Sequence, residues 1–282
     1  MFSYGIMQGR LTPPKNRGIQ FFPFDNWQEE FSESKELGLQ EIEWIFDYDN
    51  YDMNPLWTDE GCQAINNLIK ETGVCVHSVC FDYFMRRPFY KYSEKDREII
   101  RQENEYVILN VLEHMKKINA HLIEIPLVDN SSVNSKEEEL LIKDFLEQMA
   151  KKAGQYEIRI GIESDYPPVT FRSFLEQFQS YNIVANYDSG NSSGLGYDSE
   201  KEISSLGAYL YNLHIKDRVF KGTTVELGTG SADFDKVFST LGKIKYQNSI
   251  ILQAARGREG KEKENIAKQF AFVKEYVNKY LQ

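Results

Sequence analysis

"EIRIGIESDYPPVTFRSFLEQFQSYNIVANYD", residues 157–188, is the stretch on which the fold turns. Two short apolar runs, "EIRIGIE" (157–163) and "NIVANYD" (182–188), flank a longer segment whose apolar residues fall at helical spacing. Each run closes on a carboxylate, Glu163 and Asp188. A strand, a crossover helix and a second strand form the unit from which parallel sheets are built. The same alternation extends along all 282 residues, with further strand candidates at "YGIMQ" (4–8), "EIEWI" (41–45), "VCVHSVC" (74–80), "HLIEIPL" (121–127), "YLYNLHI" (209–215) and "SIILQ" (249–253). Eight strands interleaved with helical segments, the last of them a helix over 261–281, predict a (β/α)8 barrel, as a single α/β domain spanning 1–282.

The helix limits carry their own signals. Thr58 with acids behind it opens a helix that Gly73 closes, and the Ser135–Glu138 spacing of a capping box opens one that ends on Gly154. A helix over 93–118 carries Ile100, Val107, Ile108, Val111, Leu112, Met115 and Ile118 on one face. A doubly wound open sheet would normally place a glycine-rich G-x-G-x-x-G turn after its first strand, and "MQGRLTPP" is not one. The long loop over 9–26 follows the first strand, on the side where a barrel builds its site.

A net charge of −10 and a pI near 5.1 argue against nucleic acid or an anionic membrane as the main partner, since phosphates are held by clustered Lys and Arg. Cys62, Cys75 and Cys80 form no C-x-x-C pair and no disulfide framework, which fits a reducing cytosol. The N-terminus lacks the order of a signal peptide, and no apolar run approaches the ~20 residues that span a bilayer. A soluble, cytoplasmic protein is expected.

Polar residues closing apolar strands mark where a barrel does chemistry. Strand five ends at Glu163, strand six at Asp188, strand seven around His214 and strand eight at Gln253. Singly, each has an ordinary structural reading as a helix cap or a satisfied core residue. Together, two carboxylates, an imidazole and an amide oxygen form a mixed set suited to Mn²⁺, Mg²⁺, Co²⁺ or Zn²⁺. His77 either lines the barrel mouth or is a core residue, whereas His114 and His121 read as structural.

"GIMQGRL" (5–11), "EIEWIFD" (41–47), the glutamate of "IGIES", "YDSGN" (187–191), "LHIKDR" (213–218) and "LGTGSADF" (227–234) together resemble the xylose isomerase-like barrels of the sugar phosphate isomerase/epimerase family. "GIMQGRL" with "ILQAARG" resembles the hexulose-phosphate isomerase-like members. The resemblance implies a divalent metal held by Glu163, Asp188, His214 and the strand-eight residue, a small sugar or sugar phosphate as substrate, and often a homo-oligomer. In the family's 3-epimerases the strand-five and strand-eight glutamates face the substrate from opposite sides. Here the latter is Gln253, which can ligate a metal through its oxygen but cannot act as a base.

Glu163 is therefore the candidate base for forming an enediolate, with Gln253 and Lys216 as further catalytic candidates. A single carboxylate suffices for aldose–ketose isomerisation, so this reaction is favoured over 3-epimerisation or polyol dehydration. Glu124, Asp82 or Lys216 remain possible second acids. Arg10, Arg218 and Arg256, with Arg86 and Arg87, are candidate anchors for a substrate phosphate, and His77 and Glu124 complete the candidate substrate-binding set. Trp44, Phe46, Phe81, Tyr83 and Phe84 either wall the sugar or cap the barrel. A DNA phosphoesterase of the same fold needs more histidines than the four present. A silent sugar-binding barrel is the remaining alternative.

Overall fold

A computed structural model describes residues 2–15, 18–178 and 182–281. Eight parallel strands close into a barrel in chain order: β1 (Tyr4–Met7), β2 (Glu41–Ile45), β3 (Ser78–Cys80), β4 (Leu122–Leu127), β5 (Arg159–Ser164), β6 (Ile183–Asp188), β7 (Leu210–Ile215) and β8 (Ile250–Leu252), with β8 paired back to β1. Around them run α1 (Glu29–Leu37), α2 (Asp59–Thr72), α3 (Tyr83–Arg86), α4 (Glu94–Lys117), α5 (Lys136–Gly154), α6 (Pro168–Leu175), α7 (Ser189–Leu195), α8 (Ser199–Leu206), α9 (Phe234–Lys243) and α10 (Glu262–Tyr280). Among the described residues, no helix is long and apolar enough to cross a membrane.

The helix signals act as expected at α2, where the Thr58 side chain accepts from the Gly61 N–H and Gly73 closes the helix in the left-handed region at φ 78°. At α5 only half of the capping box forms. Ser135 accepts from the Glu138 N–H at 3.2 Å, but the Glu138 carboxylate takes the Asn134 N–H instead, and the helix is capped by Gln155, beyond Gly154. The largest departure among the strands is β3, expected from residue 74 but beginning at Ser78. Cys75 makes only an isolated bridge to Glu41, and the His77 carbonyl takes both the His121 and Leu122 N–H groups at the entrance to β4. Residues 74–77 are thus the rim of the N-terminal end, and His77 sits there with them.

Beyond the four-residue α3, two elements at the mouth had no counterpart in the sequence reading. The seven-residue α7 follows β6 directly, and an antiparallel ribbon pairs Asp217–Arg218 with Thr224–Val225. Both stand at the C-terminal mouth.

The loop over 9–26, of which residues 16 and 17 lie outside the described residues, folds back over the mouth around one buried carboxylate. Glu30 accepts from the Gly9 N–H at 2.9 Å, the Leu11 N–H at 3.0 Å and the Thr12 hydroxyl at 3.3 Å. Burial pushes its pKa up to about 7 against the opposing pull of the Gly9 and Leu11 N–H groups. A raised acid pKa favours folding fully below the ordinary value of 4.5 and progressively loses that contribution as pH rises through 7. The expected loss is roughly 3 kcal/mol between those limits. Urea midpoints of wild type and Glu30→Gln followed from pH 4 to 8 check it: the wild-type curve should fall relative to the variant, and parallel curves would contradict the assignment.

Candidate active site

The sheet register brings the expected strand ends together. A shift in the β6–β7 pairing between Ala185 and Asn186 sets Asn186 beside Asn212 and Asp188 beside His214, while His214 also lies beside Ile251 of β8. Bulged pairings of this kind re-aim side chains near active sites. One donor atom from each of Glu163, Asp188 and His214 lies within 4.8 Å of the others, and all three residues are buried.

His214 is held from two sides. Its Nε2 meets Glu43 Oε1 at 2.5 Å, and its Nδ1 faces Glu163 Oε2 at 3.3 Å. Glu43 also takes the Ser78 hydroxyl at 2.6 Å and the Asn212 amide at 2.8 Å, which fixes its carboxylate. Glu43 accepts the hydrogen bond from the proton on Nε2, and Nδ1 lies 3.3 Å from Glu163 Oε2 and 3.1 Å from the Asn186 amide nitrogen, so this is the ring nitrogen that would ligate a metal once it sheds its own proton. Burial disfavours the charged ring, but Glu43 and Glu163 outweigh it and hold the His214 pKa well above the ordinary histidine value.

Glu163 is positioned by amides. Asn186 donates to Oε2 at 2.9 Å and Asn191 donates to Oε1. Asn191 is in turn held by Arg218 Nη1 at 3.0 Å. Asp188 divides its oxygens: Oδ1 caps α7 through the Gly190 and Asn191 N–H groups at 2.8 Å each, and Oδ2 takes Lys216 Nζ at 3.0 Å. The glycine of "YDSGN" is a packing requirement, because a Cβ at Gly190 would lie 2.4 Å from Lys216 Cγ. Asp217, next in "LHIKDR", accepts the N–H groups of Gly228, Gly230 and Ala232 and so anchors the "LGTGSADF" segment.

Gln253 now has a physical reason to be an amide. Its Oε1 accepts from Lys216 Nζ at 2.9 Å, and its Nε2 donates to Gln20 Oε1 at 3.0 Å. Gln20 Nε2 donates onward to Asp82 Oδ2 at 2.7 Å. The chain runs with one polarity from an ammonium to a carboxylate, and a glutamate at 253 would set an oxygen against the Gln20 carbonyl.

These groups open on a cavity of about 540 Å³, whose wall includes Gln20, Asp82, Glu124, Glu163, Lys216, Arg218 and Gln253. Glu124 is fully buried, with no hydrogen-bond donor in good geometry on either oxygen among the described residues, and burial together with nearby Glu163 raises its pKa well above the carboxylate range. Burial likewise lifts Asp82 to about 6. Five buried carboxyl groups, Glu43, Asp82, Glu124, Glu163 and Asp188, lie at this end of the barrel with Lys216, His214, Arg10 and Arg218. The donor set of two carboxylates and an imidazole suits a divalent cation at Glu163, Asp188 and His214.

Several residues expected to bind substrate lie away from the cavity. His77 lies at the opposite end of the barrel, paired with Glu41 at 3.0 Å and stacked on His121, because β3 starts after it. Arg10 is buried and spends its guanidinium on the Ala254 and Ile19 carbonyls and Gln20. Arg256 binds the Ile19 and Thr12 carbonyls and lies over the Phe21 ring. Both arginines pin the loop over 9–26 and do not line the cavity. Arg87 pairs with Glu103, whereas Arg86 reaches the rim. Trp44, Phe46, Phe81 and Phe84 are fully buried and Tyr83 nearly so, so the aromatics cap the barrel. Glu43, Asn186, Asn191 and Gln20 were not singled out from the sequence. Glu41 and Glu43 alternating inside an otherwise apolar strand was the available signal for the first.

The protein resembles known proteins over nearly its whole length. Residues 31–276 match the family of xylose isomerase-like TIM barrels. L-ribulose-5-phosphate 3-epimerase UlaE of Shigella flexneri is 26% identical over 242 residues, covering 80% of this chain and 81% of that protein. Two solved structures share the fold: D-psicose 3-epimerase with D-tagatose from Clostridium cellulolyticum H10 (TM-score 0.76, 14% identity, all of both chains) and the zinc-bound IOLI protein (TM-score 0.76, 17% identity, 99% of both chains). With its closed eight-stranded barrel and a family match that spans β2 to α10, the chain belongs to the xylose isomerase-like TIM-barrel family.

Proposed function

We propose that this chain is a carbohydrate isomerase/epimerase that enolises a ketose or ketose phosphate, with Glu163 as the base. The observation that carries the reading is the placement of the Glu163 carboxylate in the cavity wall, oriented by Asn186 and Asn191 and within 4.8 Å of the Asp188 and His214 donor atoms. The curated relative UlaE is named for epimerising a sugar phosphate, which agrees in substrate class. A divalent metal held by Glu163, Asp188 and His214 would supply Lewis acidity toward a carbonyl and its neighbouring hydroxyl. Glu163 takes the proton from the carbon next to the carbonyl, and Arg218 at the wall meets the negative charge of the substrate's oxygens or phosphate.

The preference for one-carboxylate isomerisation rested on the amide at position 253. Two further buried acids in the same cavity, Asp82 and Glu124, remove that ground and make 3-epimerisation equally accessible. Incubating metal-supplemented protein with L-ribulose 5-phosphate, D-psicose and related ketoses and following products by NMR tests the reading. A new epimer or aldose is expected, and turnover of none of them would favour a sugar-binding barrel without catalysis.

A further inference from the structure

We propose that Asp82 is the second acid–base residue of this site, delivering a proton to the face of the substrate carbon opposite the one that Glu163 deprotonates, so that the chain inverts a stereocentre. The inference rests on the enolisation reading above and assigns the role that an amide at 253 leaves vacant.

Three groups in the cavity wall compete for that role. Lys216 Nζ is committed to Asp188 Oδ2 and Gln253 Oε1. Glu124 lies on β4, whose register runs directly beside β5 with Pro126 next to Glu163, so it shares the base's side of the barrel. Asp82 follows β3, two strands removed from Glu163, and is tied toward β8 by a single intervening amide: Asp82 Oδ2 to Gln20 Nε2 at 2.7 Å, then Gln20 Oε1 to Gln253 Nε2 at 3.0 Å. Among the described residues its other oxygen, Oδ1, meets only the weak S–H donor of Cys80 at 3.3 Å, and this is the oxygen that carries the transferable proton. The groups facing it are Cys80 on β3, Asp47 after β2, Glu163 on β5, and Arg10 and Gln20 from the loop over the mouth. Burial chiefly, with Asp47 and Glu163 adding to it, lifts Asp82 to about 6, close to where an acid–base group works near neutral pH.

The step balances without a co-reactant. Glu163 accepts the proton as the C–H bond breaks, and the electron pair moves into the enediolate. The Asp82 O–H bond then breaks, the proton bonds to the opposite face of the same carbon, and the carbonyl re-forms. Asp82 ends ionised and Glu163 protonated, and exchange with water resets both.

Two measurements test this. With L-ribulose 5-phosphate in D₂O, Asp82→Asn is expected to lose epimer formation by at least about 100-fold while still washing deuterium into the recovered substrate, because Glu163 is intact. Wild-type protein given the C3-deuterated substrate in H₂O is expected to yield an epimer carrying protium, which does not depend on how the variant folds. Epimerisation by Asp82→Asn at the wild-type rate, or deuterium retained in the wild-type epimer, would overturn the role of Asp82 and leave enolisation by Glu163 standing. Absence of both exchange and turnover in the wild type would overturn the enolisation reading and this inference with it.

Discussion

Glu163→Gln is expected to lower kcat by roughly 10²–10⁴-fold, the range for removing a positioned general base. The side chain keeps its length, and its oxygen still accepts from one of Asn186 and Asn191, so the fold should persist. The other asparagine amide then faces an N–H₂ instead of an oxygen. The variant also loses a charge from the donor cluster, so its kcat belongs at saturating metal, with metal affinity measured separately by calorimetry. A kcat within a few-fold of wild type under those conditions would remove Glu163 from the chemistry.

The second large effect lies one shell back. Glu43 makes no contact with the cavity, yet one carboxylate serves His214, Ser78 and Asn212. Glu43→Gln must turn an N–H₂ toward at least one of those donors and, having lost its charge, holds the imidazole proton on Nε2 less firmly. Metal affinity is expected to fall 10- to 100-fold, as for other partners of metal-ligating histidines. Glu43→Leu removes one member of a fully buried pair, and a loss of about 3–5 kcal/mol of stability is expected on denaturant titration. Unchanged metal affinity in Glu43→Gln would mean that His214 is not oriented through Nε2.

What the sequence reveals of this fold follows from how local its signals are. The β2 run was legible to the residue and β4 to β7 to within two, because each is a buried run bounded by turns, and α2 declares its ends by its caps. β3 was overextended because "VCVH" has strand composition but, at the barrel's entrance, makes only one bridge. Glu163, Asp188, His214 and Gln253 could be grouped from the sequence because they close strands that share one sheet, so their height along the barrel is implied by the strand pattern. Arg10 and Arg256 were misassigned because a loop position says nothing about where a long side chain turns; both turn toward the carbonyls of the loop over 9–26. Asp82 was visible as an acid after β3, but its link through Gln20 to Gln253 joins residues more than 200 positions apart and exists only in three dimensions.

Solvent exchange at the carbon beside the substrate carbonyl is the most direct test that this barrel enolises sugars through Glu163. Metal-loaded wild type, incubated with L-ribulose 5-phosphate in D₂O, is expected to place deuterium at that carbon, and metal-stripped protein and Glu163→Gln are expected not to. Exchange that persists in Glu163→Gln at the wild-type rate would contradict the account.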